Sequence, residues 1–588
     1  MSSKKTSIEF QNLNLEKCFQ NFYVVPDYQR EYVWEEQQVN QLLNDIYEEY
    51  DDNSDKEYFI GSIVVFDNDG TLELIDGQQR ITTLFLIVCA LKDVYTEMDI
   101  DTAVLNRMIK NVSVNRIGEE EDKYRIVLQY SDASDYLKRI ANNTEYTNDI
   151  TESGNRLYLA YENAKTFLRQ NFKTAEDLKR FFAHLYRNIR FIQIETPDIS
   201  DALKIFETIN ERGVGLSPMD LLKNLIFRQV EREDFTKLKG KWENLIRMLE
   251  NKGEKPLRFL RYFIMANYNV ENARKDSIVR EDEIYNWFLK NENQCGYNRK
   301  PFIFVDHLIS SANSYINFYE GKDNFGENVY LDNIKKLGGG AFRQHLILFL
   351  AAKDKSKEIF DYLSKNAEVL IFYYFITKEP TRNFEKSFAK WAGIIQNVKT
   401  IEDMKGFIKE NFLSELQERQ KAFEPAFLNI DENTMQKFRI RYILAKIAQH
   451  IKQARRGDGN ERSLDDFIAK GIEIEHILPA TSERELRESI GDNYDELKIR
   501  LGNLTLLEKP INGSIGNKDF YDVKRAAYLE SEIYLTRSIA KVEDVGTNTA
   551  INRINQKLKN WELWNENSII ERQQMLYELA IHIWEPKL

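Results

Sequence analysis

The stretch Glu473-Ile474-Glu475-His476-Ile477-Leu478-Pro479 alternates charged and β-branched side chains until Pro479 stops it, the pattern of a half-buried strand. Asn503-Leu504-Thr505-Leu506-Leu507, preceded by Gly502, begins 27 residues after His476 and reads as a second strand, and Lys518 to Leu529 then reads as a helix. The order is β-β-α. Adjacent strand residues face opposite sides, so Glu475 and His476 converge on one phosphate only where the strand end twists or bulges. A carboxylate and an imidazole, with amides at Asn503 and Asn512, supply metal ligands, a general base and a group to orient that base. Phosphodiester hydrolysis needs those parts. An isolated Glu-His pair is ordinarily just a hydrogen-bonded surface feature; Pro479, the Gly-Asn-Leu segment and Asn512 make the combination specific.

The chain has 588 residues, too many for one core, and the usual domain size gives roughly three or four units. Hydrophobic content of 42% and charged content of 30% are those of an ordinary soluble protein. The longest apolar run, Leu84 to Leu91, is far short of the ~20 residues that span a bilayer, so no membrane segment is expected. Cys18, Cys89 and Cys295 are odd in number and widely spaced, which argues against a disulfide framework or a cysteine zinc site. With no apolar signal core after Met1, the cytoplasm is the expected compartment. The net charge of −12 is unevenly spread. Asp45 to Glu57 is acidic, whereas Arg439 to Arg462 holds seven Lys and Arg, Arg455 and Arg456 among them, against Asp458 and Glu461. That stretch reads either as a basic approach for a nucleic-acid backbone or as a solvated helix face.

Phe22 to Pro26, Phe59 to Phe66, Thr71 to Ile75 and Phe191 to Glu195 read as strands, the second and third as a hairpin turning at Asp67-Asn68-Asp69-Gly70. Val39 to Tyr50, Gln79 to Tyr95 and Ser200 to Ile209 show helical spacing, and Ser217-Pro218-Met219-Asp220 starts another helix. Helical patterns such as Leu257 to Ala266, Ala341 to Ala352 and Ala367 to Ile376 dominate up to Phe412. The expected architecture is predominantly α with mixed α/β. It has an N-terminal domain over 1–230, a helical connecting region over 231–412 and a C-terminal helical domain over 413–588 that carries the β insertion.

The C-terminal sequences resemble the HNH, or His-Me finger, nucleases with their ββα-metal motif, and more closely the C-terminal domain of GmrSD-type restriction enzymes. The resemblance implies His476 as the base that deprotonates water and Asn503 as the residue orienting its ring. It also implies Glu475 and Asn512 as ligands of Mg²⁺ or Mn²⁺, with Lys518 on a DNA phosphate and Asn517 as a neighbour. The gap from His476 to Asn503 is longer than in compact HNH motifs; helices at Glu483 to Ile490 and Asp495 to Arg500 would fill it.

A second informative stretch is Leu74-Ile75-Asp76-Gly77-Gln78-Gln79-Arg80. A strand ends in Asp-Gly and a helix begins at the Gln-Arg pair, so backbone N–H groups and Arg80 can address an anion together. No P-loop pattern exists in the chain. With Pro26-Asp27-Tyr28-Gln29-Arg30, Phe59-Ile60-Gly61-Ser62 and Phe206-Glu207-Thr208-Ile209-Asn210-Glu211-Arg212-Gly213, the set resembles the GmrS-type domain, related in fold to ParB and sulfiredoxin. Resemblance implies a nucleoside triphosphate (GTP, UTP, CTP or ATP) bound at Asp76, Gly77, Gln78, Gln79 and Arg80, with Asn210, Arg212 and Lys223 contributing. Asp76 and Arg80 would take part in its hydrolysis. Tyr28, Gln29 and Arg30 read three ways: as a sensor of modified DNA, as in SspE-like relatives, as a wall of the nucleotide pocket, or as packing against Trp34.

The implied function is a nucleotide- and metal-dependent DNA endonuclease of antiphage defence that restricts modified phage DNA, as type IV enzymes do. One HNH site per chain would favour a homodimer for double-strand cleavage. Two other classes stay open: a nucleotide-switched DNA clamp without cleavage, and a ribonuclease or toxin.

Overall fold

The computed structural model describes residues 8–585 except 27–28, 30, 53–55, 69, 115–117, 131–132, 145–150, 198–200, 203–204, 206–217, 271–276, 457–463, 482–489, 491 and 544–548. By contacts the chain divides into two compact units, residues 1–243 with 296–303, and 244–295 with 304–588. Most of the expected connecting region thus belongs to the same unit as the C-terminal sequences. Helices predominate, and among the described residues none is long and apolar enough to cross a membrane.

In the first unit, β1 (Glu9–Asn14), β2 (Tyr23–Val25), β3 (Tyr58–Asn68), β4 (Thr71–Asp76), β7 (Ile126–Leu128) and β8 (Ile189–Thr196) form one mixed sheet. A separate hairpin pairs β5 (Lys110–Val114) with β6 (Glu120–Tyr124). The sheet order is β1-β8-β3-β4-β2-β7. The turn at Gly70 joins β3 and β4 antiparallel as its composition demands, while β3 pairs parallel with β8. The helix Gln78–Glu97 is apolar around most of its circumference because it is buried along its length, with Leu84 to Leu91 at most 1% exposed. β1 and β7 went unread in the sequence: β1 shows no alternation, being an exposed edge, and β7 has only three residues. The helix expected at Ser200 to Ile209 lies largely outside the described residues.

The second unit is helical. It includes Lys357–Ile376, Leu413–Leu428, Lys437–Arg456 and Glu566–Ile583. Phe372 stacks on Trp584 at 3.6 Å, tying the C-terminal end to the centre of this unit. A two-residue hairpin pairs β9 (Lys322–Asp323) with β10 (Gly326–Glu327). The remaining sheet is β11 (Ile472–His476) against β12 (Leu504–Glu508), antiparallel, with His476 opposite Leu504 and Ile472 opposite Glu508.

Candidate active site on the two-stranded sheet

The strand pair forms as its alternation requires, but the helix that follows β12 differs from the expected one. Lys509–Ile515 begins immediately, with Pro510 in its first turn, and carries Asn512. The expected helix from Lys518 instead opens as a π-helical turn at Phe520–Lys524 and continues as Arg525–Tyr528. Asp519 caps it by accepting from Tyr521 N at 2.9 Å, so that N-terminus already holds an anionic partner. Lys518 itself is exposed.

Each candidate side chain is held by a second residue. Glu475, 6% exposed, accepts from Lys524 Nζ at 2.6 Å and Tyr528 Oη at 3.1 Å. Lys524 also donates to the His476 carbonyl at 2.6 Å, and its burial, partly offset by Glu475, lowers its pKa. Both side-chain contacts of Glu475 fall on Oε1. Asn512 donates from Nδ2 to Glu473 Oε2 at 2.9 Å, which leaves its oxygen as a ligand atom. Glu473 and Glu475 occupy alternate positions of β11 and therefore share a face.

His476 Nε2 lies 2.9 Å from Glu432 Oε2. Glu432 arrives from 44 residues upstream because Asp431 bridges Arg500 in antiparallel fashion and Glu432 N donates to Ile499 O. A carboxylate can only accept, so Nε2 is the donor to Glu432, and in the neutral ring the lone pair then falls on Nδ1.

Asn503 is the principal correction. It is fully buried, and its side chain is spent on other partners: Oδ1 accepts from Leu478 N at 2.6 Å and Trp564 Nε1 at 2.9 Å. Its Nδ2 donates to Leu478 O at 3.0 Å and Lys498 O at 2.7 Å. Asn503 clamps the backbone that leaves β11; Glu432, not Asn503, meets the ring. Gly502 is required beside it, since a Cβ there would lie 2.2 Å from Ile569 O in the C-terminal helix. From that helix Arg572 donates to the Gly502 and Leu504 carbonyls, and Gln573 Nε2 donates to Leu428 O and Ile430 O. One helix therefore holds both the Asn503 turn and the loop that presents Glu432.

For a divalent cation the donor set fits in part. Among the described residues no group of three or more His, Cys, Asp or Glu is placed to hold a metal. One carboxylate oxygen of Glu475 and the amide oxygen of Asn512 suit Mg²⁺, which keeps several waters and needs only one or two carboxylates. Lys524, Tyr528 and Glu473 supply the outer hydrogen bonds that orient such ligands.

The basic stretch is less open than its composition suggested. Arg439 donates to Leu337 O, Arg441 to Ala469 O and Ile472 O, and Lys446 pairs with the buried Glu368. Lys452 pairs with Asp466 and Arg455 with Glu543, whereas Arg456 is exposed without an ion pair among the described residues. Asn517 donates to Thr481 at 2.6 Å.

In the first unit, Gly77 adopts φ 83° and, being glycine, places no capping side chain on the helix Gln78–Glu97. Gln79 accepts from Val33 N and Trp34 N and donates to Glu31 O, while Tyr32 bonds Thr83 at 2.8 Å. Gln79 is thus a clamp on the 31–34 loop. Arg80 donates to Ile60 O at 3.0 Å and lies 3.8 Å from Asp76. Only glycine serves at 61, where φ is 115° and a Cβ would sit 2.1 Å from the Arg80 guanidinium. Gln78 Oε1 and Gln29 Nε2 are buried without hydrogen-bond partners among the described residues. Lys223 lies on the helix Pro218–Phe227 with its ammonium 5.9 Å from the Phe227 ring. Tyr28, Arg30, Asn210 and Arg212 lie outside the described residues.

The model of the GmrSD restriction endonuclease N-terminal domain matches residues 10–227, and that of the C-terminal domain matches 417–579. The chain belongs to the GmrSD restriction endonuclease family. As a GmrSD protein it is a restriction endonuclease with DNA as its substrate class. The matches place the Gln78–Glu97 helix in the GmrSD N-terminal domain, and the β11–β12 pair with Glu432 in the C-terminal one. No curated protein matches the chain at a significant level.

Proposed function

We propose that the chain is a nucleotide-dependent, divalent-metal-dependent DNA endonuclease of the HNH type that restricts modified phage DNA. The observation that supports the cleavage chemistry is the His476–Glu432 pair at 2.9 Å, at the end of the strand that carries Glu475. With Nε2–H donating to Glu432, Nδ1 accepts the proton of the attacking water, and the carboxylate then stabilises the imidazolium. Glu475 and Asn512 would hold Mg²⁺ or Mn²⁺, which when bound supplies charge stabilisation at the phosphoryl and leaving oxygens. Asn503 keeps the backbone after His476 fixed so that the ring stays in place.

In the first unit, the glycine-capped helix N-terminus, Asp76 and the Gln78 carbonyl suit a nucleoside triphosphate, whose hydrolysis would gate cleavage. Gln29 is buried, so within the Tyr28-Gln29-Arg30 segment its amide fits a pocket wall better than a free DNA contact. One such site per chain cuts one strand at a time, so double-strand cleavage calls for a homodimer.

The test is cleavage of duplex DNA by purified His476→Ala protein with Mg²⁺ and triphosphate. The rate falls by about 10²- to 10⁴-fold, the usual worth of a general base, with the melting temperature unchanged. Cleavage at the normal rate would remove the nuclease assignment from this site. Loss of wild-type cleavage in EDTA, with RNA as a parallel substrate, tests the metal and the substrate.

A further inference from the structure

Gln573 lies on the C-terminal helix Glu566–Ile583 with 2% of its surface exposed, and both ends of its amide are spent on backbone. Its Oε1 accepts from Gly502 N at 3.2 Å, while Nε2 donates to Leu428 O at 2.7 Å and Ile430 O at 3.2 Å. These partners fix which end is which. A turned amide would set its NH₂ against a backbone N–H and its oxygen against two carbonyls.

The two segments that Gln573 joins carry the two members of the His476–Glu432 pair. Ile430 stands two residues before Glu432; Gly502 precedes Asn503, whose side chain grips Leu478 N and O two residues after His476. Backbone contacts align the same segments: Leu501 N donates to Ile430 O, Glu432 N donates to Ile499 O, and Asp431 bridges Arg500. Those contacts are confined to the two segments, whereas Gln573 ties both to a third element. That element is anchored in turn, because Arg572 donates to the Gly502 and Leu504 carbonyls and Trp584, just beyond the helix, stacks on Phe372 at 3.6 Å. The fit is close. A Cβ at Gly502 would lie 3.0 Å from Gln573 Cβ and 3.1 Å from Gln573 N.

We propose that Gln573 is a positioning residue for DNA cleavage, holding the Glu432 loop and the Asn503 turn at the separation that gives the 2.9 Å contact of Glu432 with His476. The inference rests on the reading of that pair as the unit that takes the proton from water. Buried as it is, Gln573 does not touch DNA and acts only through the ring and its carboxylate. Misplacing a reacting group by about 1 Å can cost about 10²-fold in rate. Loss of the amide leaves the backbone contacts between the segments in place, so the expected cost is smaller, about tenfold.

The test uses the full chain with Mg²⁺ and triphosphate and reads kcat and KM on duplex DNA, at a temperature where circular dichroism shows each variant folded. Gln573→Met matches the shape and removes the amide. Gln573→Asn keeps the amide on a stem too short to reach both segments, and serves if the methionine variant does not fold. The expected result is a kcat lower by about tenfold with KM unchanged, and no further loss when the change is added to Glu432→Gln. A wild-type kcat in the folded variants, even with a lowered melting temperature, makes Gln573 a structural clamp and overturns the proposal. A loss confined to KM, or the same loss in the Glu432→Gln background as in the wild type, overturns it as well. Failure of the underlying reading is distinct, since His476→Ala and Glu432→Gln would then cleave at the normal rate.

Discussion

The two candidate sites are built on opposite principles. In the β11–β12 site every candidate side chain has a fixed companion: His476 has Glu432, Glu475 has Lys524 and Tyr528, and Asn512 has Glu473. At the start of the helix Gln78–Glu97 the construction residues are satisfied, Gln79 and Arg80 on backbone carbonyls, but Gln78 Oε1 and Gln29 Nε2 are bare. A site that performs bond cleavage must hold its groups in place before substrate arrives. A site that senses a ligand leaves polar groups unpaired for the ligand to satisfy, and so couples binding to stability.

This contrast can be broken by substitution, and Lys524 carries the largest expected effect. Lys524→Met strands the Glu475 carboxylate in a buried position and lowers stability by about 3–5 kcal/mol in denaturant unfolding. Adding Glu475→Gln to it recovers much of the loss. If Lys524→Met alone is neutral, the companions are ornamental and the contrast fails on the nuclease side. Gln78→Met carries the smaller effect and sharpens the other side. The lost carbonyl was already unpaired, so the ligand-free melting temperature holds or rises. Triphosphate affinity falls about tenfold, equivalent to ~1.4 kcal/mol, by calorimetry. A melting loss without an affinity loss would make Gln78 a structural residue like Gln79.

The sequence carried the strands of both sites because their alternation and turns are local properties. β11, β12 and the β3–β4 hairpin lie within two or three residues of where their composition places them. The companions were not legible in the same way. Glu432 reaches His476 only through the bridge of Asp431 to Arg500, and Trp564 reaches Asn503 from 61 residues away. No local pattern encodes either. Glu473 was readable, since it shares the β11 face of Glu475, and so was Lys524, one helical turn before Tyr528. The basic stretch misled because composition counts charges without asking which are consumed by neighbours, as Lys446 is by Glu368.

If His476 and Glu432 act as one catalytic unit, a double-mutant cycle on DNA cleavage shows their coupling. Glu432→Gln alone is expected to slow cleavage by about 10- to 100-fold, the usual cost of losing a partner that orients a functional histidine and less than the 10²- to 10⁴-fold worth of the base itself. In the His476→Ala background the same change is expected to add almost nothing, because there is no ring left to orient. Equal losses in both backgrounds would show Glu432 acting independently of the ring, and the two residues would not be one catalytic unit.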